Sequence, residues 1–217
     1  MVRSAEFLML PRLQAIVDVD LAVRAGWSPC DLARAYLDGG ARFLQLRAKT
    51  LPAGPFLELC DAIVPAARDA GATLIVNDRV DLAQLCAAHG AHVGQDDLSV
   101  ADARALLGPQ AIVGHSTHSV EQVRESLRQP ATYTAVGPIF GTRSKDTGYA
   151  AVGLALVAEA HALSGGRPIV AIGGITLERA ASVIAAGATT VAVISDLLAE
   201  NRPAERVRAY CRLLGGS

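Results

Sequence analysis

Short apolar runs alternate with longer helical runs along most of the chain. From residue 13 onward, each run rich in β-branched and aliphatic residues is followed by an Ala- and Leu-rich segment of helical period, and we count eight such pairs. Runs such as 169–172 (IVAI) are apolar throughout, which is typical of parallel strands buried on both faces. The pattern therefore predicts repeated βα units.

Eight strands and eight helices account for most of these units. Helix boundaries have their own signals, since Ser28-Pro29 and Ser119 are typical of helix starts and Gly71 and Gly187 of helix ends. We expect strands at 13–18, 43–47, 73–77, 92–94, 111–116, 133–140, 168–173 and 190–195. We expect helices at 29–38, 55–70, 80–89, 100–107, 119–129, 152–163, 177–186 and 203–214. The polar, glycine-punctuated segment 141–151 is expected to be a loop.

Eight successive units favour a single compact (β/α)₈ barrel, a TIM barrel of the α/β class, spanning residues 1–217. A chain of 217 residues suits one domain, and no Pro- or Ser-rich linker divides it, although such barrels more often have about 250 residues. An open doubly wound sheet would show the same local pattern. However, the first strand is not followed by the G-x-G-x-x-G turn of a dinucleotide-binding fold.

Composition narrows the partners and the compartment. Hydrophobic residues make up 51% and aromatic residues 4%, so the core must be built mainly from Ala, Val, Leu and Ile. Lys and Arg number 20 against 21 Asp and Glu, which argues against nucleic acid as a partner. The four cysteines form no C-x-x-C pair and resemble small apolar residues in a reducing compartment. Pro11 interrupts the apolar start, so we expect no membrane span and a cytoplasmic location.

Polar residues follow the ends of the predicted strands, where a barrel collects its active site. Gln45, Arg47 and Lys49 alternate at the end of the second strand, so their side chains should share one side. Asp78 and Asp97 follow the third and fourth strands and could instead cap the next helices. Further polar groups stand at 94–96 (GQD), 115–118 (HSTH) and 142–146 (TRSKD). Their recurrence at one rim favours a binding site.

Two kinds of anion site are expected at this rim. Glycines at 173–174 precede a helix that opens at Thr176, and 193–195 (VIS) closes the eighth strand. Backbone amides in these places form a phosphate site in many barrels. The cations and the two carboxylates suit a diphosphate bridged by Mg²⁺, which prefers one or two carboxylates together with water and phosphate oxygens.

The ordered set of motifs resembles the thiamine-phosphate synthase family. The matching segments are 45–49 (QLRAK), 76–79 (VNDR), 92–97 (HVGQDD), 114–118 (GHSTH), 137–142 (GPIFGT), 173–175 (GGI) and 193–195 (VIS). The resemblance implies a (β/α)₈-barrel transferase. Such an enzyme joins hydroxymethylpyrimidine diphosphate to hydroxyethylthiazole phosphate by a dissociative substitution assisted by Mg²⁺, and releases pyrophosphate.

The resemblance also implies a role for each matching residue. The diphosphate would be held by Arg47, Lys49, Asn77 and Lys145, and the Mg²⁺ by Asp78 and Asp97. The pyrimidine or its leaving group would face Gln45, His92 and Ser116. The thiazole phosphate would be held by Thr142, Ser144, Gly174, Ile194 and Ser195. We expect Arg47, Lys49, Ser116 and Lys145 to carry the catalysis.

The sixth loop departs from the common family pattern, because Gly141 and Ser144 stand where Pro and Thr are frequent. We expect altered loop mobility there and retained activity. A thiazole tautomerase on the same barrel is the alternative, with His118 as its acid or base. The run 95–97 (QDD) and Lys145 favour the synthase, and the same rim charges argue against a non-catalytic phosphate sensor. The sequence shows no subunit interface and leaves a homodimer open.

Overall fold

The computed structural model describes residues 9–141 and 150–215. Within these ranges, eight parallel strands close into a barrel in sequence order, and β8 returns to pair with β1. The strands are β1 Leu13–Asp18, β2 Phe43–Arg47, β3 Thr73–Asn77, β4 Gly90–Val93, β5 Ile112–Thr117, β6 Tyr133–Val136, β7 Ile169–Ile172 and β8 Thr190–Val193. The predicted (β/α)₈ barrel is confirmed.

Helices surround this barrel and connect its strands. They are α1 Val19–Arg24, α2 Pro29–Asp38, α3 Ala53–Asp69, α4 Val80–Leu85, α5 Val100–Leu107, α6 Val120–Arg128, α7 Gly153–Leu163, α8 Leu177–Ala185 and α9 Pro203–Leu214, with a 3-10 segment at Ser195–Asn201. The predicted helix starts have the expected caps: Ser28 Oγ accepts from the Asp31 amide at 3.0 Å, and Ser119 Oγ accepts from the Gln122 amide at 3.3 Å. No helix in the described ranges is long and apolar enough to cross a membrane.

The core has two layers, one on each side of the strands. Aliphatic side chains such as Val17, Leu46 and Val76 fill the space between barrel and helices. A smaller cluster that includes Ile16, Phe43 and Tyr133 fills the barrel interior. Towards the carboxyl ends of the strands some of the buried residues are polar, among them Asp18, Asn77 and His92. Because buried polar groups need partners, this end of the barrel is where a site can form.

The fourth unit differs from its prediction. The helix ends at Leu85, four residues early, and the strand begins at Gly90 instead of residue 92. Ala87 takes a left-handed conformation with φ of 52°. His89 then pairs with β3, because its amide donates to Leu74 O at 2.9 Å and its Nδ1 accepts from Leu74 N at 3.1 Å. These bonds to β3 outweigh the apolar period that predicted a longer helix.

The other differences are smaller. Strand β6 ends at Val136 instead of residue 140, since Pro138 has no amide hydrogen with which to continue the ladder. Helix α1 and the 3-10 segment after β8 were not predicted, and α3 begins at Ala53 instead of residue 55. Of the cysteines, Cys60 is fully buried and the other three are partly exposed.

Candidate active site

An ion pair joins the first two strands at the rim. Asp18 and Arg47 are register partners across β1 and β2, and the Arg47 guanidinium donates to the Asp18 carboxylate. Both side chains are nearly buried, at 8% and 12% exposure, and Asp18 also caps α1 by accepting from the Leu21 amide at 2.9 Å. Among the described residues, buried Arg47 Nε has no hydrogen-bond partner. Such an orphaned donor is costly unless a ligand satisfies it.

Two carboxylates meet beside this pair. The Lys49 ammonium forms an ion pair with Asp78, which has a left-handed backbone with φ of 62°. Asp97 Oδ2 accepts from the Gly94 amide at 2.7 Å. Partial burial raises the pKa of the Asp97 carboxyl, and the nearby negative charge of Asp78 raises it further. The two carboxylates therefore lie close enough to repel each other.

Neither carboxylate caps a helix. The residue at the N-cap of α4 is Arg79, and Ser99 caps α5 by accepting from the Asp102 amide at 3.1 Å. The capping alternative for Asp78 and Asp97 is therefore wrong. Their side chains instead contact the Lys49 ammonium and the Gly94 amide.

A narrow inner pocket of about 20 Å³ lies within the carboxyl end of the barrel. All eight strands contribute to its lining, which places it on the barrel axis. Among the lining residues are Gln45, Arg47, Asn77, His92 and Ser116. With Ile194, the structure thus brings six of the predicted site residues to one place, and Lys49, Asp78 and Asp97 lie at its rim.

A larger cavity of about 410 Å³ lies beside the inner pocket, at the ends of β5 to β8. Gly174, Ile194 and Ser195, all predicted to hold a phosphate, line it. Gly174 has φ of 63°, and a Cβ there would lie 2.7 Å from Gly141 O. Only glycine therefore fits this approach without a shift of the loop.

Asp196 organises the backbone around this cavity. Its Oδ2 accepts from the Leu177 amide at 3.1 Å, from Arg206 Nε at 3.0 Å and from the Tyr210 hydroxyl at 2.6 Å. The carboxylate thereby caps α8 and ties it to α9. Because Arg206 pairs with it, Asp196 adds little net negative charge to the cavity wall.

Several residues of the site were not predicted. Arg179 lines the cavity, donates from Nη1 to Gly174 O at 3.1 Å, and lies over the Phe140 ring at 4.7 Å. An arginine in the first turn of the helix after a glycine pair was a signal for an anion site that sequence reasoning overlooked. Asp18 and Asp196 were also missed, because their partners come from other strands and helices.

The remaining predicted residues divide into two groups. His118 lines the cavity, with Nδ1 at 2.5 Å from Gly137 O. Thr142, Ser144 and Lys145 lie outside the described residues, so their predicted roles stay predictions.

The fold and site define a TIM-barrel enzyme whose polar residues gather at the carboxyl ends of the strands. Residues 13–197 match the family described as thiamine monophosphate synthase. The chain belongs to this family, and the family resemblance drawn from the motifs is confirmed. Its relatives are transferases named thiamine-phosphate synthase.

Individual relatives agree with the family assignment. The thiamine-phosphate synthase of Roseiflexus castenholzii is 45% identical over 182 residues, which is 83% of this chain and 79% of the relative. That of Chlorobium luteolum is 41% identical over 207 residues, 94% of this chain and 93% of the relative. The solved structure of thiamine phosphate pyrophosphorylase from Pyrococcus furiosus superposes with a TM-score of 0.82 at 26% identity, covering 94% and 95% of the two chains.

Proposed function

We propose that this chain joins 4-amino-2-methyl-5-hydroxymethylpyrimidine diphosphate to 4-methyl-5-hydroxyethylthiazole phosphate, or to its carboxylated form. The products are thiamine phosphate and pyrophosphate. The carbon–oxygen bond to the diphosphate breaks first, and the thiazole nitrogen then attacks the pyrimidine-stabilised carbocation. No protein nucleophile takes part, so the chain's work is to bind, orient and neutralise charge.

The observation that carries this proposal is a pair of adjacent compartments of different chemistry. The inner pocket is lined by Arg47, whose Nε has no hydrogen-bond partner among the described residues, and two carboxylates lie at its rim. The larger cavity is instead lined by glycines and by the N-termini of helical segments. Their shared wall consists of Ser116, Ala135, Ile172, Ala192 and Ile194. Two substrates bound on either side would meet at this wall, which is what a coupling reaction requires.

The diphosphate would bind at the mouth of the inner pocket, because the pocket itself, at about 20 Å³, is too small to enclose it. Arg47 is held at the rim by Asp18, and its orphaned Nε is available to an anionic oxygen. Lys49 adds a second cation, and we propose Asn77 and Lys145 as further diphosphate ligands. As the carbon–oxygen bond breaks, these groups would stabilise the negative charge that grows on the leaving oxygen.

Asp78 and Asp97 fit a magnesium ion. They are hard oxygen donors whose mutual repulsion a divalent cation would relieve. Among the described residues no set of three or more His, Cys, Asp or Glu is arranged to hold a metal. Mg²⁺ accepts so few protein ligands when water and phosphate oxygens complete its shell. When bound, it would supply electrostatic stabilisation of the departing pyrophosphate.

The thiazole phosphate fits the larger cavity. The amides at Gly174 and at the start of the 3-10 segment with Ser195 would bind its oxygens, and Arg179 would offset its charge. We propose Thr142 and Ser144 as additional ligands from the loop after β6.

The pyrimidine would face Gln45, His92 and Ser116. We also propose that the chain works as one catalytic domain in the cytoplasm.

The test is a coupling assay on the purified chain. Both substrates with Mg²⁺ should yield thiamine phosphate and pyrophosphate in equal amounts, and omission of Mg²⁺ should suppress both. Asp97→Ala should reduce kcat/KM by about a hundredfold or more, since charge stabilisation at the leaving group is lost. The matched control is Asp96→Ala, which removes the exposed neighbouring carboxylate and should leave the rate unchanged.

Two results would contradict the proposal. Equal rates for the Asp96→Ala and Asp97→Ala variants would contradict the proposed magnesium site. No coupling, together with isomerisation of the carboxylated thiazole phosphate, would favour the tautomerase, with His118 in the cavity wall as its acid or base.

A further inference from the structure

A chain of hydrogen bonds runs from the barrel core to the shared wall of the two compartments. Gln14 Nε2 donates to the Tyr133 hydroxyl at 3.4 Å, and that hydroxyl lies 2.9 Å from His92 Nδ1. His92 Nε2 lies 2.8 Å from Ser116 Oγ. Gln14 and Tyr133 are almost fully buried, whereas Ser116 faces both compartments. These hydrogen bonds thus connect the buried core to the place where the substrates would meet.

The strand register makes this series of hydrogen bonds possible. His92 on β4, Gly114 on β5 and Tyr133 on β6 are successive register partners. A Cβ on Gly114 would lie 2.3 Å from the Tyr133 hydroxyl and 2.6 Å from His92 Nδ1. Because Gly114 has no side chain, the two rings reach across it and stack, with centroids 5.7 Å apart and planes 18° apart.

The order of donors determines where the hydrogens lie along this series of hydrogen bonds. The Tyr133 oxygen has one hydrogen, and it accepts from Gln14, so that hydrogen points to His92 Nδ1. Burial raises the pKa of the Tyr133 hydroxyl well above its ordinary value, so it remains a donor at neutral pH. A neutral imidazole whose Nδ1 accepts must carry its hydrogen on Nε2. His92 Nε2 then donates to Ser116 Oγ, and the Ser116 hydrogen is left to point elsewhere.

We propose that Tyr133 is a positioning residue, which holds His92 in the Nε2–H tautomer and so makes Ser116 a hydrogen-bond donor to the pyrimidine substrate. The substrate part of this statement rests on the proposed function; the tautomer does not. An acceptor on that substrate, either a ring nitrogen or a diphosphate oxygen, is the kind of atom that Ser116 would recognise. With the opposite tautomer, Ser116 would donate to His92 and offer only lone pairs.

The first test is the tautomer itself, measured on the unliganded wild-type protein. Two-bond ¹H–¹⁵N correlation spectra distinguish a protonated ring nitrogen from a bare one, and a His92→Gln variant assigns the signal among the five histidines. We expect a hydrogen on Nε2 and none on Nδ1. A hydrogen on Nδ1 overturns the proposal whatever the enzyme catalyses, so this failure is separate from failure of the proposed function.

The second test is Tyr133→Phe, which removes the hydroxyl and keeps the ring. The matched control is Tyr36→Phe, because Tyr36 is also fully buried and its hydroxyl has no hydrogen-bond partner within the described part of the chain. We expect Tyr133→Phe to lose the wild-type tautomer pattern and to lower kcat/KM for the pyrimidine diphosphate about tenfold, the effect of one oriented hydrogen bond. KM for the thiazole phosphate should stay unchanged, and Tyr36→Phe should match wild type in every readout. A Tyr133→Phe variant with the wild-type tautomer and wild-type kinetics would overturn the proposal.

Discussion

Replacing Gly174 by alanine should damage the cavity far more than the same replacement at Gly165. Both glycines have left-handed backbone, with φ of 63° and 58°. An added Cβ therefore costs each about 1–2 kcal/mol of backbone strain. Their surroundings differ, because a Cβ on Gly174 would lie 2.7 Å from Gly141 O and 2.9 Å from Phe140 Cβ, whereas Gly165 has nothing within 4 Å.

These contacts add a second cost at Gly174 alone. The loop after β6 must move to admit the methyl group, and overpacking of this kind costs about 1–3 kcal/mol. The free energy of unfolding should then fall by about 2–5 kcal/mol for Gly174→Ala and about 1–2 kcal/mol for Gly165→Ala. For a chain of this size, about 2–4 °C accompany each kcal/mol, so the melting temperatures of the two variants should differ by about 2–12 °C.

The same movement should weaken the binding of one substrate only. Loss of one hydrogen bond to a charged phosphate costs about 1.5–3 kcal/mol, which corresponds to a rise of about 10- to 150-fold in KM for the thiazole phosphate. Steady-state kinetics, with each substrate varied while the other is saturating, separates this effect from any change towards the pyrimidine diphosphate. If Gly174→Ala matches Gly165→Ala in both melting temperature and KM, the cavity is not the phosphate site.

Three further predictions test other parts of the site. Asp18→Ala leaves Arg47 nearly buried without its counter-ion, so urea unfolding should show a loss of about 3–5 kcal/mol; a loss below about 1 kcal/mol would mean that the pair is solvated. Arg179→Gln should raise KM for the thiazole phosphate about tenfold, whereas Arg128→Gln, at the last residue of α6 and outside the cavity lining, should not; equal effects would place Arg179 outside the site. Burial lowers the pKa of His115 in the native state. As pH falls through about 6.5, the His115 side chain is therefore protonated in the unfolded state before it is protonated in the native state, and the free energy of unfolding decreases. His115→Gln should flatten that drop in urea titrations at pH 7.5 and 5.5, and an unchanged slope would contradict it.

The strands were well predicted where the apolar runs were long and their boundaries sharp. β1, β2 and β3 have the predicted bounds, because each run ends at a charged or amide side chain. β6 was predicted too long, since Ile139 continues the apolar run and is buried, yet it follows a proline. Ile139 and Phe140 still donate to Ile172 O at 2.9 Å and Gly173 O at 3.0 Å, so the segment stays beside β7 although the regular strand has ended.

The fourth unit shows a similar limit for helices. The apolar period continues past Leu85, but the bonds between His89 and Leu74 place the chain beside β3. Such contacts join residues 15 apart in sequence and exist only after the barrel has formed. Local pattern cannot supply them.

Within residues 9–141 and 150–215, the predicted site residues share a rim because the carboxyl ends of parallel strands must meet there. What could not be predicted was which side chains pair. Asp18 meets Arg47 across 29 residues and His92 meets Tyr133 across 41, in both cases through strand register. Those pairings decide which donors are left for a ligand, and they depend on how the whole barrel closes.

We propose that two phosphorylated ligands bind at two adjacent compartments at one end of the barrel. A crystal structure with thiamine phosphate, pyrophosphate and Mg²⁺ tests it most directly. Pyrophosphate should contact Arg47 and Lys49, with the ion between Asp78 and Asp97, and the thiamine phosphate group should contact the amides near Gly174 and Ser195. Pyrophosphate bound at the glycine cavity, or a phosphate group bound away from both compartments, would contradict the account.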